Sequence, residues 1–233
     1  MSEINKPSGT KVIRPAASLI IVRDGVEGVE VLVMKRSREM RFLPGYLAYP
    51  GGSLDSRDWM ENAAWWTGSI IGQNRHDDSA YAIGALRECA EEVGWLCALQ
   101  SDSGVYALSE QEQRDLLTGE CTLDHLLAAH GFKLDGSSLR FVGRWVTPPH
   151  MPARFDTRFF LYVMRVESPE PRLHTTENEW VRWCRPVDLL SSIRAGAHNA
   201  VSPTIAMLKG IAEYASADDC LQSLSVPGPE SRA

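Results

Sequence analysis

Three glutamates and one arginine within six residues, Arg87-Glu88-Cys89-Ala90-Glu91-Glu92, constrain this chain more than any other stretch. Read as a helix at 100° per residue, the segment puts Ala82, Leu86, Cys89, Ala90 and Val93 on one apolar face. Glu88, Glu91 and Glu92 then share a different face, at spacings of three and four. Like charges so placed weaken a helix by roughly 0.2–0.5 kcal/mol per pair, so helix formation alone does not account for them. A divalent cation does, because hard oxygen ligands suit magnesium or manganese. On this stretch alone the alternative is a solvated acidic face with Arg87 pairing Glu91. Gly94 is the expected helix stop.

The rest of the chain bounds the answer. With 233 residues and 44% hydrophobic composition it can bury one substantial core with room for insertions. A net charge of −6 and a pI near 5.5 exclude general nucleic-acid affinity and a polybasic membrane anchor. No apolar run approaches the roughly 18 residues of a membrane span. The first residues, Met1 to Pro7, lack the apolar core of a secretory signal, and the closing Ser231-Arg232-Ala233 is not a good peroxisomal address. Five cysteines, odd in number and without a C-x-x-C pair, fit reduced thiols in a cytosol-like compartment. A cytoplasmic enzyme is expected.

In chain order, residues 1–13 read as a flexible N-terminus. Ala16–Arg23 and Val29–Lys35 are rich in β-branched residues and flank Asp24-Gly25-Val26-Glu27-Gly28, which predicts a hairpin. Leu47-Ala48-Tyr49 reads as a short strand running into Pro50-Gly51-Gly52. Residues 55–78, with Trp59, Trp65 and Trp66, read as an insertion carrying a short amphipathic helix and leading to Ser79 as N-cap of the carboxylate helix. Trp95–Leu99 reads as a strand, and Ser109–Thr118 and Leu123–His130 as helices ended by Gly119 and Gly131. Leu139–Val146, Arg158–Val166 and Glu179–Cys184 read as strands. Pro186–Ala195 and a helix opened by Ser202-Pro203 complete a single α/β or α+β domain over residues 14–215. Residues 216–233 read as a flexible tail.

The glycines at the end of a strand, acids after them and a helix of acids resemble the Nudix box, G-x5-E-x7-R-E-U-x-E-E-x-G-U. Arg87 to Trp95 match its second half, and Gly52 with Asp58 in the glutamate place matches its first. Residues 59–86 replace the seven-residue spacer with twenty-eight, Asp58 is one methylene short, and Cys89 and Trp95 fill the aliphatic positions. The ligand positions are intact, so activity is expected to survive, with the loop rebuilt around the insertion. Leu32 to Ser37, then Arg41, Gly45 and Tyr49-Pro50-Gly51-Gly52, are similar to the coenzyme A pyrophosphatase signature L-L-T-x-R-S-x3-R-x3-G-x3-F-P-G-G. The insertion near 56–80, the helical insertion near 108–131 and the stretch Pro152–Phe160 are similar to the branch containing the peroxisomal coenzyme A diphosphatase of animals.

The resemblance implies a Nudix fold, an α/β/α sandwich with a mixed sheet and helical insertions. It implies magnesium or manganese held by Glu88, Glu91, Glu92 and the Gly51 carbonyl, with Arg87 orienting the carboxylates. The general base would be Glu88 or a later acid, for which Glu177 and Glu179 are the candidates. Arg36 and Arg41 fall within the signature as substrate contacts. Arg154 and Arg158 are candidates for bidentate phosphate contacts, against surface or ion-pair roles. The implied reaction is hydrolysis of coenzyme A or acyl-coenzyme A to 3′,5′-ADP and (acyl) 4′-phosphopantetheine. The alternatives are a diphosphatase of ADP-sugars, NADH or other nucleotides, and a catalytically silent nucleotide-sensing regulator. The expected partner is a small-molecule nucleotide, not nucleic acid or membrane, and a homodimer is compatible with this. The tryptophans of the insertion suit packing better than adenine stacking, and the six histidines show no ligand spacing.

Overall fold

The two β-branched runs form the hairpin they predict. β1 (Ile13–Gly25) and β2 (Gly28–Arg36) pair antiparallel from Val22↔Val31 to Gly25↔Gly28, closing around Val26-Glu27. The computed structural model describes residues 12–229 except 60–62, 102, 166, 168 and 174–176. Most of the expected flexible N-terminus, residues 1–11, lies outside the described residues.

Beyond Val31 the hairpin parts. β2 takes up β3 (Tyr46–Ala48) at Met34 and Lys35, while the first half of β1 takes up β4 (Gly51–Ser53) at Ala16, Ala17 and Ser18. The Pro50-Gly51-Gly52 turn therefore sits in the opening between the two long strands. Next come β5 (Trp66–Thr67), α1 (Asp78–Val93), β6 (Trp95–Cys97) and β7 (Val105–Ala107). α2 (Glu110–Thr118), α3 (Leu123–His130) and β8 (Leu134–Asp135) precede the long strands β9 (Leu139–Val146) and β10 (Arg154–Val163). β11 (Asn178–Cys184), α4 (Pro186–Arg194), β12 (Asn199–Ala200), α5 (Ser202–Ile211) and α6 (Ala217–Ser223) complete the order.

β10 runs parallel to β1 and antiparallel to β9, while β11 pairs antiparallel with β2, so the main sheet is mixed. Strands buried on both faces read as continuous apolar runs, which is why β1 and β2 show no polar alternation. Ala17, Leu19, Ile21, Leu32 and Met34 face α1 and its Ala82, Leu86, Cys89, Ala90 and Val93. Ile20, Val22, Val31, Val33 and Leu47 face α4, α5 and α6 through Leu189, Met207, Leu208 and Cys220. The α/β/α sandwich and its mixed sheet are as expected. Among the described residues no helix is long and apolar enough to cross a membrane.

Three local expectations are corrected. The described part of the insertion carries no amphipathic helix. It holds a 3₁₀ turn at Ser56–Asp58 and the strand β5, which pairs parallel with β8 at Trp66↔Leu134. Aromatic and β-branched Trp65-Trp66-Thr67 favour an extended chain, and Gly68 at φ 68° turns it immediately afterwards. α1 starts one residue before Ser79, with Asp77 at the N-cap. The expected loose tail instead contains α6, whose Ala217, Cys220 and Leu221 are buried. Ser216 Oγ caps it by accepting from Asp219 N at 3.1 Å, and the Ala217 amide donates to Asp24 at 2.7 Å. Ala217, Cys220 and Leu221 on one side of the helix dock a short, otherwise polar segment.

Candidate active site

Arg87 is the hub of the carboxylate helix. Its Nε and Nη2 donate to the two oxygens of Asp58 at 2.9 Å each, and Nη2 also reaches the Ser53 carbonyl at 3.1 Å. Nη1 donates to Glu88 Oε1 at 3.0 Å and to Glu91 Oε2 at 3.0 Å. Such a bidentate fork fixes a guanidinium in plane and orientation, which a lysine could not do. Asp58 is buried and also accepts from the Asp55 amide at 2.8 Å. The 3₁₀ turn thus carries a side chain one methylene shorter than glutamate up to the arginine.

Gly51 and Gly52 close the other side. The Gly51 amide donates to Glu92 Oε2 at 2.9 Å. A Cβ on Gly52 would lie 2.6 Å from the Glu88 carboxyl, and one on Gly51 would lie 2.4 Å from the Ala17 carbonyl. Both close approaches require glycine. Gly52→Ala is therefore expected to displace Glu88 and to lower kcat by about a hundredfold, the scale at which a misplaced reacting group is felt. Circular dichroism should stay unchanged. An alanine variant with full activity would show that Glu88 does not act from this position.

Burial dominates the electrostatics here. Desolvation pushes the Glu88 carboxyl up to about 7, against the pull of Arg87, with Glu91 adding to the rise. It pushes Glu92 up to about 8, against the Gly51 amide. Glu91 is raised for the same reason. Glu88 and Glu91 lean on Arg87 and Glu92 on Gly51, and among the described residues no three acidic groups already surround one cation-sized point. The donor set is nonetheless all hard oxygen, desolvated and short of positive charge. Asn178, at the start of β11, is 6% exposed and stands close enough to Glu92 to favour its charge, yet among the described residues neither of its amide atoms completes a well-formed hydrogen bond. A buried cluster of acids with an orphaned amide beside it fits a divalent cation in chemical type.

The other expected residues fall into two groups. Arg36, half-buried at the end of β2, lies close enough for its charge to act on Glu92, and its Nε donates to the Phe42 carbonyl at 3.3 Å. Arg41 is exposed in the loop that follows. The structure does not bring Arg154 or Arg158 to the carboxylates. Arg154 Nε donates to the Thr147 carbonyl at 3.1 Å. Arg158 is 2% exposed, lies over the Tyr81 ring at 3.6 Å, and bonds Asp77 at 2.9 Å and Asp78 at 2.6 Å. Of the two roles expected for Arg158, the ion pair is the one formed here, with the half-buried Asp77 and the buried Asp78 at the start of α1. Glu177 is exposed in the turn before β11, and Glu179 pairs with Lys35 at 2.8 Å, which holds its carboxyl below the usual range. The side chain between them, Asn178, is the one that faces the cluster.

Sequence reasoning missed Asn178, Gln113 and the Asp77/Asp78 pair. Gln113 of α2 is fully buried and its Nε2 donates to the carbonyls of Glu91 (2.9 Å) and Arg172 (3.0 Å), which ties down the C-terminal end of α1. A polar residue in a predicted helix gives no hint of such a long-range role. Asp77-Asp78 before a helix is a visible signal for charge at a helix N-terminus.

No family model matches this chain. A solved structure of a Nudix hydrolase from Alicyclobacillus acidocaldarius is similar at 43% identity and a TM-score of 0.87, over 94% of this chain and 99% of that one. "Putative nudix hydrolase 7" of Caenorhabditis elegans is 24% identical over 93% of this chain, which spans 66% of that relative's length. Forty-three per cent identity across nearly the whole of both chains, on one shared fold with the carboxylate helix packed beneath Gly51-Gly52, settles the family: this chain belongs to the Nudix hydrolases.

Proposed function

We propose that the chain hydrolyses the diphosphate of coenzyme A or acyl-coenzyme A with magnesium or manganese, releasing 3′,5′-ADP and (acyl) 4′-phosphopantetheine. The observation that carries the reaction class is the desolvated set Glu88, Glu91 and Glu92, clamped from below by Arg87 on Asp58 and covered by Gly51-Gly52. Those three side chains and the Gly51 carbonyl would hold the ion. When bound, it would neutralise diphosphate oxygens and lower the pKa of water.

The chain's own residues do the rest. Arg87 keeps Glu88 and Glu91 parallel on one helix face, which like charges would not do unaided. Glu88, held in place by Arg87 at 3.0 Å, is the candidate to take the proton of the attacking water. Glu179, depressed by Lys35, is the weaker candidate. Arg36 and Arg41 are the contacts for the substrate's phosphates, Arg36 beside Glu92 and Arg41 on the exposed loop.

The test is hydrolysis of coenzyme A, ADP-ribose and NADH under magnesium, with products identified by mass. Coenzyme A should be cleaved fastest. Arg41→Ala should raise its KM about tenfold, the equivalent of one lost charged hydrogen bond, and leave kcat in place. A preference for nucleotides lacking a 3′-phosphate would overturn the substrate. No cleavage of any of the three would revive the silent regulator.

A further inference from the structure

We propose that Asn178 is a positioning residue for the divalent ion, acting through Glu92 and through the ion's water shell. The inference rests on the metal-site reading given under Proposed function. Asn178 opens β11 opposite Arg36 of β2, and the pairing is irregular between Asn178 and Trp180. Such an irregularity re-aims side chains and is common beside active sites. Here it leaves Glu177 and Glu179 exposed and turns the amide between them inward, where it is 94% buried, its exposure being 6%.

Among the described residues Oδ1 of that amide has no partner, and Nδ2 stands beside the Glu92 carboxylate without completing a well-formed hydrogen bond. One buried, unsatisfied polar atom costs about 1–3 kcal/mol, so both ends of the amide are expected to be met when the site is complete. Glu92 supplies half the answer. Its Oε2 is held by the Gly51 amide, and its carboxyl stands close enough to Asn178 to be influenced by it. Asn178 Nδ2 therefore has an acceptor in the second Glu92 oxygen once that carboxylate turns to an ion. Oδ1 then needs a donor, and neither Glu92 nor a bare cation is one. A water on the ion is, and magnesium keeps several of its waters in protein sites. Apolar leucine of the same size would satisfy neither end. Aspartate would keep the oxygen acceptor.

Titration of manganese into the metal-free protein, followed by the paramagnetic resonance of the free ion and without any substrate, tests this directly. Asn178→Leu should weaken manganese binding at least about tenfold, the usual cost of losing a partner behind a metal ligand. Asn178→Asp should bind within a few-fold of the wild type. The apparent magnesium requirement of turnover should rise in the leucine variant while KM for the nucleotide stays put. Leucine and aspartate variants that bind manganese as tightly as the wild type would overturn the role of Asn178 while leaving the metal site standing. A leucine variant that loses metal-free thermal stability, alongside an aspartate variant that loses affinity, would reduce Asn178 to a packing residue. A wild type that binds no manganese would fail the metal-site reading itself, and this inference with it.

Discussion

Glu92→Gln is expected to lower kcat at saturating magnesium by about a thousandfold while making the metal-free protein more stable above neutral pH. On the proposed metal-site reading, the catalytic loss follows from removing one anionic oxygen from a site where an ion would supply several kcal/mol of charge stabilisation, each 1.36 kcal/mol being about tenfold in rate. The gain in stability follows from burial. In the folded chain the Glu92 carboxyl stands near 8, above its unfolded value of 4.5, because desolvation opposes its charge. Ionisation therefore costs the native state, and the contribution that is whole below pH 4.5 is lost as pH climbs through 8, at roughly 1.4 kcal/mol per pH unit. Glutamine keeps an oxygen for the Gly51 amide and has no proton to lose. Urea unfolding in chelator at about pH 5.5 and about pH 8.5 should show the wild type losing more stability between the two than the variant, in which only the raised Glu88 and Glu91 still titrate. Millimolar magnesium should reverse the ranking, since only a site that binds the ion gains from it. Wild-type turnover in the variant would remove Glu92 from the reaction, and a parallel pH slope would remove the buried charge. Stability exchanged for activity at one residue is the signature of a site arranged for function.

What was legible in the sequence was what repeats locally. The apolar face of α1, the β1–β2 hairpin and the helices α2 and α3 with their glycine stops all follow from periodicity and turn chemistry within a few residues. The Gly52–Asp58 spacing anticipated that Asp58 belongs to the same unit as Arg87, and their 2.9 Å contacts across 29 positions confirm that they meet. The insertion between them leaves that contact intact, the 3₁₀ turn presenting Asp58 and α1 presenting Arg87. The misses are long-range. Trp66 forms a strand because β8 offers it a partner 68 residues on. Asn178 turns inward because β11 is irregular, and α6 docks because the sheet leaves an apolar face beside α5 uncovered. In each case the deciding partner lies far away in the sequence. The ion-pair alternative for Arg158 could not name its partners for the same reason: nothing near it in sequence reveals that Asp77 and Asp78 arrive from about 80 residues away.

Arg158→Met is expected to destabilise the protein by about 3–5 kcal/mol, the scale of breaking a buried ion pair by removing one partner. Methionine matches the length of the stem but leaves Asp78, which is fully buried, with a charge that nothing of opposite sign offsets. The amides of Asn74 and Arg75 still donate to its Oδ2 at 3.1 and 3.0 Å, yet Oδ1 loses its 2.6 Å contact with the guanidinium. Tyr81 loses the cation above its ring as well. The damage falls at the start of α1, sixteen residues that end in the carboxylate cluster. At roughly 2–4 °C per kcal/mol for a chain of this size, the melting temperature should drop by about 10 °C. Removing the stranded charge should recover much of the loss, so Arg158→Met combined with Asp78→Asn is expected to melt above the single variant. That coupling separates a buried pair from two independent contacts, because distant, unrelated losses would simply add. KM supplies the second readout. A strut acts on the fold, so KM for coenzyme A should hold at temperatures where the single variant is still folded. A raised KM with an unchanged melting temperature would return Arg158 to the substrate side of the molecule and leave the aspartates as groups that hold its guanidinium in place.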